Sequence, residues 1–228
     1  MTDAAGLIER ARADPGLVVL EGFHALKHAR RFGADVVLAV TSDPDGVARL
    51  AAELAPELDP GDLATVAPAV LGAHQHHTRV LAVARRPPFD PTAIGPGRVV
   101  LLEDPRHLGN VGAVIRVAAA AGAAAVLTTG ASDPWHPAAL RGSAGLHLAL
   151  PVGRVDGPPP DRPLAALDPA GDPLAGLPAD VVLAFGTERH GLSPGLRARA
   201  ALRVAIPMRP GVSSLNLATA AAVALYAA

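Results

Sequence analysis

Residues 99–130, VVLLEDPRHLGNVGAVIRVAAAAGAAAVLTTG, decide the fold. The apolar run Val99 to Leu102 stops at Glu103, Asp104 and Pro105, and a glycine-bearing turn then leads into a helical spacing of apolar residues that carries Arg116. Ala123 to Thr129 is a second short apolar run, closed by Gly130. Strand, loop, helix and strand in that order predict a βαβ unit with parallel strands. Asn110 and Gly112 fall where the loop enters the helix, and Arg116 lies one turn beyond Gly112 on the same helical face. An amide, a bare stretch of backbone and a guanidinium therefore gather at the carboxyl end of a sheet, where open α/β sheets bind their ligands.

A dinucleotide-binding turn is one competing reading. Gly109 and Gly112 supply only part of its G-x-G-x-x-G, and the strand after the helix ends in Thr128-Thr129-Gly130 with no carboxylate for a ribose. A plainer reading makes Arg116 a solvated helix residue and Asn110 the helix cap. Other segments decide.

The chain of 228 residues is 50% hydrophobic but only 3% aromatic, so its core is built from Leu, Val and Ala, and its length suits one large or two small domains. Without cysteine it has no disulfide, no thiolate chemistry and no Cys-ligated zinc. The apolar tail Leu217 to Ala228 is shorter than the ~18 residues that span a bilayer. No secretory signal pattern is visible, and a cytoplasmic protein is expected. A net charge of −1 gives no bulk attraction for nucleic acid. Local positive faces come from Lys27-His28-Arg30-Arg31, Arg85-Arg86 and Arg197-Arg199-Arg203.

Upstream, a short helix pattern ends near Asp14-Pro15-Gly16, and strand-like Leu17 to Gly22 precedes a helix over Phe23 to Phe32. Asp35 to Val40 reads as a strand, Val47 to Leu54 as a helix, and Leu63 to Val66 and Arg79 to Ala84 as short strands. These alternations make a small α/β/α domain over residues 1–92. The proline-rich stretch Arg86 to Arg98 marks the boundary with a second domain over residues 98–228. In Gly72 to Thr78 three histidines fall within four residues, but neither helical i,i+4 spacing nor neighbouring carboxylates back them, so no metal site is expected.

Downstream, Leu146 to Val152 is strand-like, and Gly153 to Pro178 reads as a surface crossover with one strand-like island at Leu164 to Leu167. Val181 to Phe185 is a buried strand that empties into Gly186 to Pro194, GTERHGLSP, with Ser193 and Pro194 placed to open a helix. Glu188 in that loop admits three roles: general base, partner of Arg116, or solvated turn residue. Ala205 to Met208 forms another strand end, and Ser213-Ser214-Leu215-Asn216 then leads into an Ala-rich helix from Leu217, apolar on every side as at a subunit interface. Three strand ends thus release loops bearing Asn110 with Arg116, Glu188, and Ser214 with Asn216. Their small residues leave backbone groups exposed in a concavity suited to an adenine edge and a ribose.

Together these residues resemble the SpoU (TrmH) family of the SPOUT superfamily, S-adenosylmethionine-dependent RNA 2′-O-ribose methyltransferases. The family's N-x-G-x-x-x-R is similar to Asn110, Gly112 and Arg116, its G-x-E-x-x-G to Gly186, Glu188 and Gly191, and its I-P-M with S-L-N to Ile206–Met208 and Ser214–Asn216. Arg141 to Gly145 resembles a further family segment, R-x-S-x-G, while Ala218 departs from the Ser the family often carries. The resemblance implies a carboxyl-terminal α/β trefoil-knot domain with a parallel sheet, preceded by an RNA-binding domain similar to certain ribosomal proteins. It implies a homodimer through the knotted domain, and a cofactor, S-adenosyl-L-methionine, held near Thr128, Gly186, Ile206, Met208 and Leu215. Arg116 is implied as the group that takes the 2′-hydroxyl proton, assisted by Asn110, Glu188, Ser214 and Asn216. Because a guanidinium barely deprotonates, Arg116 fits orientation of the hydroxyl and stabilisation of an alkoxide equally well. The expected substrate is rRNA, with tRNA and a non-catalytic ribosome-assembly protein of the same fold as alternatives.

Overall fold

The computed structural model describes residues 3–72, 77–187, 189–212 and 214–227. The chain divides into two compact units, Met1–Pro88 with Ala144–Ala149, and Phe89–Ser143 with Leu150–Ala228. The first division falls inside the proline-rich stretch. The short excursion 144–149, which the sequence reading assigns to the second domain, belongs with the first unit.

The first unit runs α1 (Ala4–Ala13), β1 (Leu17–Glu21), α2 (Phe23–Arg31), β2 (Val36–Thr41), α3 (Pro44–Leu54), β3 (Ala64–Thr65), α4 (Pro68–Leu71) and β4 (Val80–Arg85). Its sheet has the order β1-β4-β2-β3, with β4 antiparallel to both neighbours and β2 parallel to β3. Local chemistry sets the helix starts. Asp43 accepts the Gly46 amide with Pro44 at the first turn of α3, and Gly22 enters α2 at φ 91, where a side chain would be strained. Ile8, Ala11, Val40, Leu71, Leu81 and Val83 form one buried cluster between helices and sheet.

Leu146 to Val152 is not one strand. Its alternation fits a period of two, yet Ala144 (φ 52) and Gly145 (φ 78) turn the chain left-handed into a 3-10 segment, Leu146–Ala149. That segment packs on α2: a Cβ on Gly145 would stand 2.9 Å from the Ala25 Cα, and His28 Nδ1 lies 2.8 Å from the Ala144 carbonyl oxygen. Burial lowers the His28 pKa against the opposing pull of that carbonyl. His74 and His76 of the histidine loop lie outside the described residues.

The second unit runs β5 (Val99–Leu102), α5 (Leu108–Ala120), β6 (Ala125–Thr128), α6 (Pro137–Ser143), β7 (Val152–Arg154), β8 (Leu164–Pro173), β9 (Val182–Phe185), α7 (Pro194–Arg199), β10 (Leu202–Ala205) and α8 (Leu217–Tyr226). Its six strands take the order β10-β8-β9-β5-β6-β7, and every neighbouring pair is parallel. An all-parallel sheet is covered on both faces, so β5, β6 and β9 are unbroken apolar or small-residue runs with every residue buried.

The reading of 153–178 as a surface crossover misses β8, which lies inside the sheet between β10 and β9. Ala165 and Ala166 pair with Leu202 and Arg203, and the register then jumps so that Val204 meets Asp172. The residues skipped, 167–171, bulge out of the ladder. Gly171 allows the return: a Cβ there would stand 2.6 Å from the Arg203 carbonyl carbon.

Candidate active site

Three loops at the carboxyl ends of β5, β9 and β10 carry the residues singled out from sequence. On the first, α5 begins at Leu108 after His107, so Asn110 sits inside the first helical turn and does not cap it. Gly112 is no bare ligand platform either. A Cβ on it would stand 2.1 Å from the Ala139 carbonyl oxygen and 2.9 Å from the Gly142 Cα, while one on Gly142 would meet the Gly109 carbonyl at 2.8 Å. The two glycines let α5 and α6 cross at backbone contact. Arg116 is exposed, six positions beyond Asn110 and therefore about 240° further round the helix. Among the described residues its side chain makes no hydrogen bond or ion pair.

On the second loop Gly186 is required by space: a Cβ would fall 1.9 Å from the Gly191 carbonyl carbon. Thr187 and Gly191 close the loop with reciprocal backbone hydrogen bonds of 3.1 and 3.0 Å, and the His190 amide donates to Thr187 Oγ1 at 3.1 Å. Ser193 accepts the Leu196 amide at 3.2 Å as the cap of α7. The Ser193 amide in turn donates to Glu103 Oε2 at 2.7 Å, tying the end of β5 to this loop. Glu188 lies outside the described residues.

On the third loop Asn216 caps α8. Its Oδ1 accepts the amides of Ala218 at 2.9 Å and Thr219 at 3.4 Å, and its Nδ2 donates to Asn110 Oδ1 at 3.2 Å. Because the Asn216 carbonyl is committed to backbone amides, its nitrogen faces Asn110, which fixes the Asn110 carbonyl toward it. The first and third motifs are thus joined through side chains. Ala218 contributes its backbone amide here, a role indifferent to a missing hydroxyl.

Gly186, Ile206, Met208, Ser214, Leu215 and Asn216 line one cleft of about 610 Å³. Its opposite side includes Leu167 and Asp168 from the β8 bulge. Thr128 and Arg116 are not among the lining residues. Thr128 ends β6 fully buried, its hydroxyl without a hydrogen-bond partner among the described residues.

Two residues of this region were not legible as site residues: Glu103, and Asp168, which is 8% exposed. Asp168 accepts the Ala170 amide at 3.0 Å and Arg203 Nη2 at 3.0 Å, with Arg197 at 3.8 Å. The Ala170 amide first, then Arg203 and Arg197, hold its carboxyl below the ordinary Asp value, while burial acts the other way. Only the strand-like residues before Asp168 pointed to its place; the bulge that turns it to the cleft leaves no periodic trace.

No helix among the described residues is long and apolar enough to cross a membrane. The chain is 34% identical over 146 residues to a 23S rRNA (uridine(2479)-2′-O)-methyltransferase of Streptomyces viridochromogenes, covering 57% of this chain and 51% of that protein. It is 36% identical over 178 residues to an uncharacterized tRNA/rRNA methyltransferase of Mycobacterium bovis, covering 69% and 61%. This chain spans between 26% and 61% of the length of these and similar curated relatives. The crystal structure of the SpoU methyltransferase AviRb from Streptomyces viridochromogenes, in complex with AdoMet, superposes with a TM-score of 0.77 at 26% identity over 99% of this chain and 96% of that one. The profile of the SpoU rRNA Methylase family matches residues 97–226, more than half of the chain, and the chain belongs to that family.

Proposed function

We propose that this protein is an S-adenosylmethionine-dependent 2′-O-ribose methyltransferase acting on RNA, with rRNA as the preferred substrate. The observation that carries the reading is the convergence of Gly186, Ile206, Met208, Ser214, Leu215 and Asn216 on one cleft, with Asn216 hydrogen-bonded to Asn110 from a different loop. The cleft fits the cofactor chemically. Apolar Ile206, Met208 and Leu215 suit an adenine face, and turn backbone at Gly186 and Thr187 suits its edge. Thr128 supports that end of the sheet without lining the cleft.

When bound, S-adenosylmethionine supplies an electrophilic methyl carbon for direct displacement. The chain has no cysteine for a covalent intermediate, so its residues act by aligning the nucleophile. Asn110, its carbonyl held by Asn216, assists from the first turn of α5. Arg116 orients the 2′-hydroxyl and stabilises the developing alkoxide, assisted by Glu188 and Ser214, with phosphate or water receiving the proton. The 2′-hydroxyl as nucleophile distinguishes RNA from DNA. Residues 1–92 serve as the RNA-binding domain.

Dimerisation completes this reading. Val223 (38%) and Tyr226 (63%) of α8 are exposed although the helix buries Leu217, Ala221, Ala224 and Leu225, and a second copy of the knotted domain fits that face. Homodimer and cytoplasmic location are both tested by sedimentation of the native protein from cell extract. Function itself is tested by incubating total RNA with labelled methyl donor and mapping new 2′-O-methyl nucleotides. Label on an rRNA ribose is the expected result, and label on no RNA overturns the reading.

A further inference from the structure

Part of the loop after β9 borders two cavities. Thr187, Arg189 and Gly191 line the cofactor-type cleft and also an adjoining cavity of about 710 Å³. Cationic side chains reach this second cavity from three places: Arg106 from the loop after β5, Arg189 from the loop after β9, and Arg197 from α7. His107 and His190 add two imidazoles. Two carboxylates also line it, and both are engaged. Glu103 accepts the Ser193 amide at 2.7 Å, and Asp104 pairs with Arg106 at 2.6 Å. The side chains of Arg189, His107 and His190 make no hydrogen bond or ion pair among the described residues. Arg106 is paired with Asp104 and Arg197 lies 3.8 Å from Asp168, which leaves Arg189 as the lining guanidinium without an ion pair among the described residues, on a chain whose overall charge is −1.

We propose that this cavity is a subsite for a backbone phosphate of the substrate RNA, gripped by Arg106 and Arg189 with His107 beside them. The inference rests on the RNA-methyltransferase reading and adds where the strand runs. In an RNA strand each 2′-hydroxyl sits beside a phosphodiester on the neighbouring 3′ oxygen, so a ribose offered to the cleft carries a phosphate just past its rim. Arg106 and His107 also border a shallow depression that reaches Asn110 at the start of α5. From there the Asn110–Asn216 bond leads into the cleft. Charge that binds the backbone is indifferent to sequence, so the subsite sets register and leaves base choice to other contacts.

The test uses the full chain, a fluorescein-labelled single-stranded oligoribonucleotide and its uncharged methylphosphonate counterpart, titrated by anisotropy over a range of salt concentrations. Arg106→Ala and Arg189→Ala should each flatten the dependence of log K on log salt by about 0.7. Neither should alter binding of the uncharged strand. Arg106→Lys and Arg189→Lys retain the charge and should retain the slope, which separates a lost contact from a lost fold. Unchanged slopes in both alanine variants, or equal losses on charged and uncharged strands, overturn the subsite. The two readings fail separately. Altered slopes in a protein that transfers no methyl group keep the subsite and remove the enzyme; methyl transfer with unaltered slopes does the reverse.

Discussion

Replacing Gly112 by alanine separates two explanations of a motif glycine. If Gly112 leaves room for a ligand, the variant folds normally and loses affinity for the methyl donor. The structure assigns the space to α6 instead: the new Cβ lies 2.1 Å from the Ala139 carbonyl oxygen and 2.9 Å from the Gly142 Cα. Both obstacles are backbone, so no side chain can swing away, and the helices must part by nearly an ångström to reach the 3.0 Å floor of real Cβ contacts. Overpacking of this kind costs about 3 kcal/mol at its upper end. The gain in helix propensity from Gly to Ala returns about 1 kcal/mol. The net loss of about 2 kcal/mol lowers Tm by roughly 4–8 °C for a chain of this size. Gly109→Ala is the control, because a Cβ at Gly109 meets nothing within 4 Å, and it should be neutral or slightly stabilising. Thermal and urea unfolding of the two variants side by side decide the matter. A Gly112→Ala protein as stable as Gly109→Ala would refute the packing argument and return the glycine to the ligand.

Other expectations concern chemistry. Arg116→Ala should abolish methyl transfer while calorimetry finds the cofactor affinity intact, since Arg116 does not line the cleft; unchanged turnover would remove it from the mechanism. Asn216→Asp keeps an acceptor for the Ala218 and Thr219 amides but loses the donor to Asn110, so it should hold stability and lower kcat. Asn216→Ala should in addition lose about 1 kcal/mol of capping, and equal stability of the two variants would contradict the cap. Asp168 has its pKa held down in the folded chain, so the unfolded chain binds its proton first on acidification. Its contribution is therefore present above the ordinary Asp range and fades as pH falls through the lowered value, below about pH 5. Asp168→Asn should flatten that acid limb in urea titrations, and an unchanged pH profile would show the ion pairs to be inert.

Legibility followed the range of the interactions involved. The unit β5-α5-β6 was readable because its signals are local: an apolar run, a turn, a helical period and a second run. The Ser193 cap was visible for the same reason. Gly112 was placed correctly and explained wrongly, since its partner is Ala139 in a helix it meets only after folding. Strand β8 was cut short because the skipped residues 167–171 break its alternation, and Asp168 vanished with them. Leu146 to Ala149 imitated a strand in apolar pattern, while the left-handed turn at Ala144 and Gly145 overruled it. Among the proposed cofactor residues, Gly186, Ile206, Met208 and Leu215 meet at the cleft and Thr128 does not.

Thr187 and Gly191, joined by a short bridge, line the cleft and the cationic cavity alike, as does Arg189. Occupants of the two chambers would therefore touch the same three residues, Thr187, Arg189 and Gly191. If a sulfonium ligand on those shared residues changes strand affinity by some factor, thermodynamic reciprocity demands that the strand change the sulfonium's affinity by the same factor.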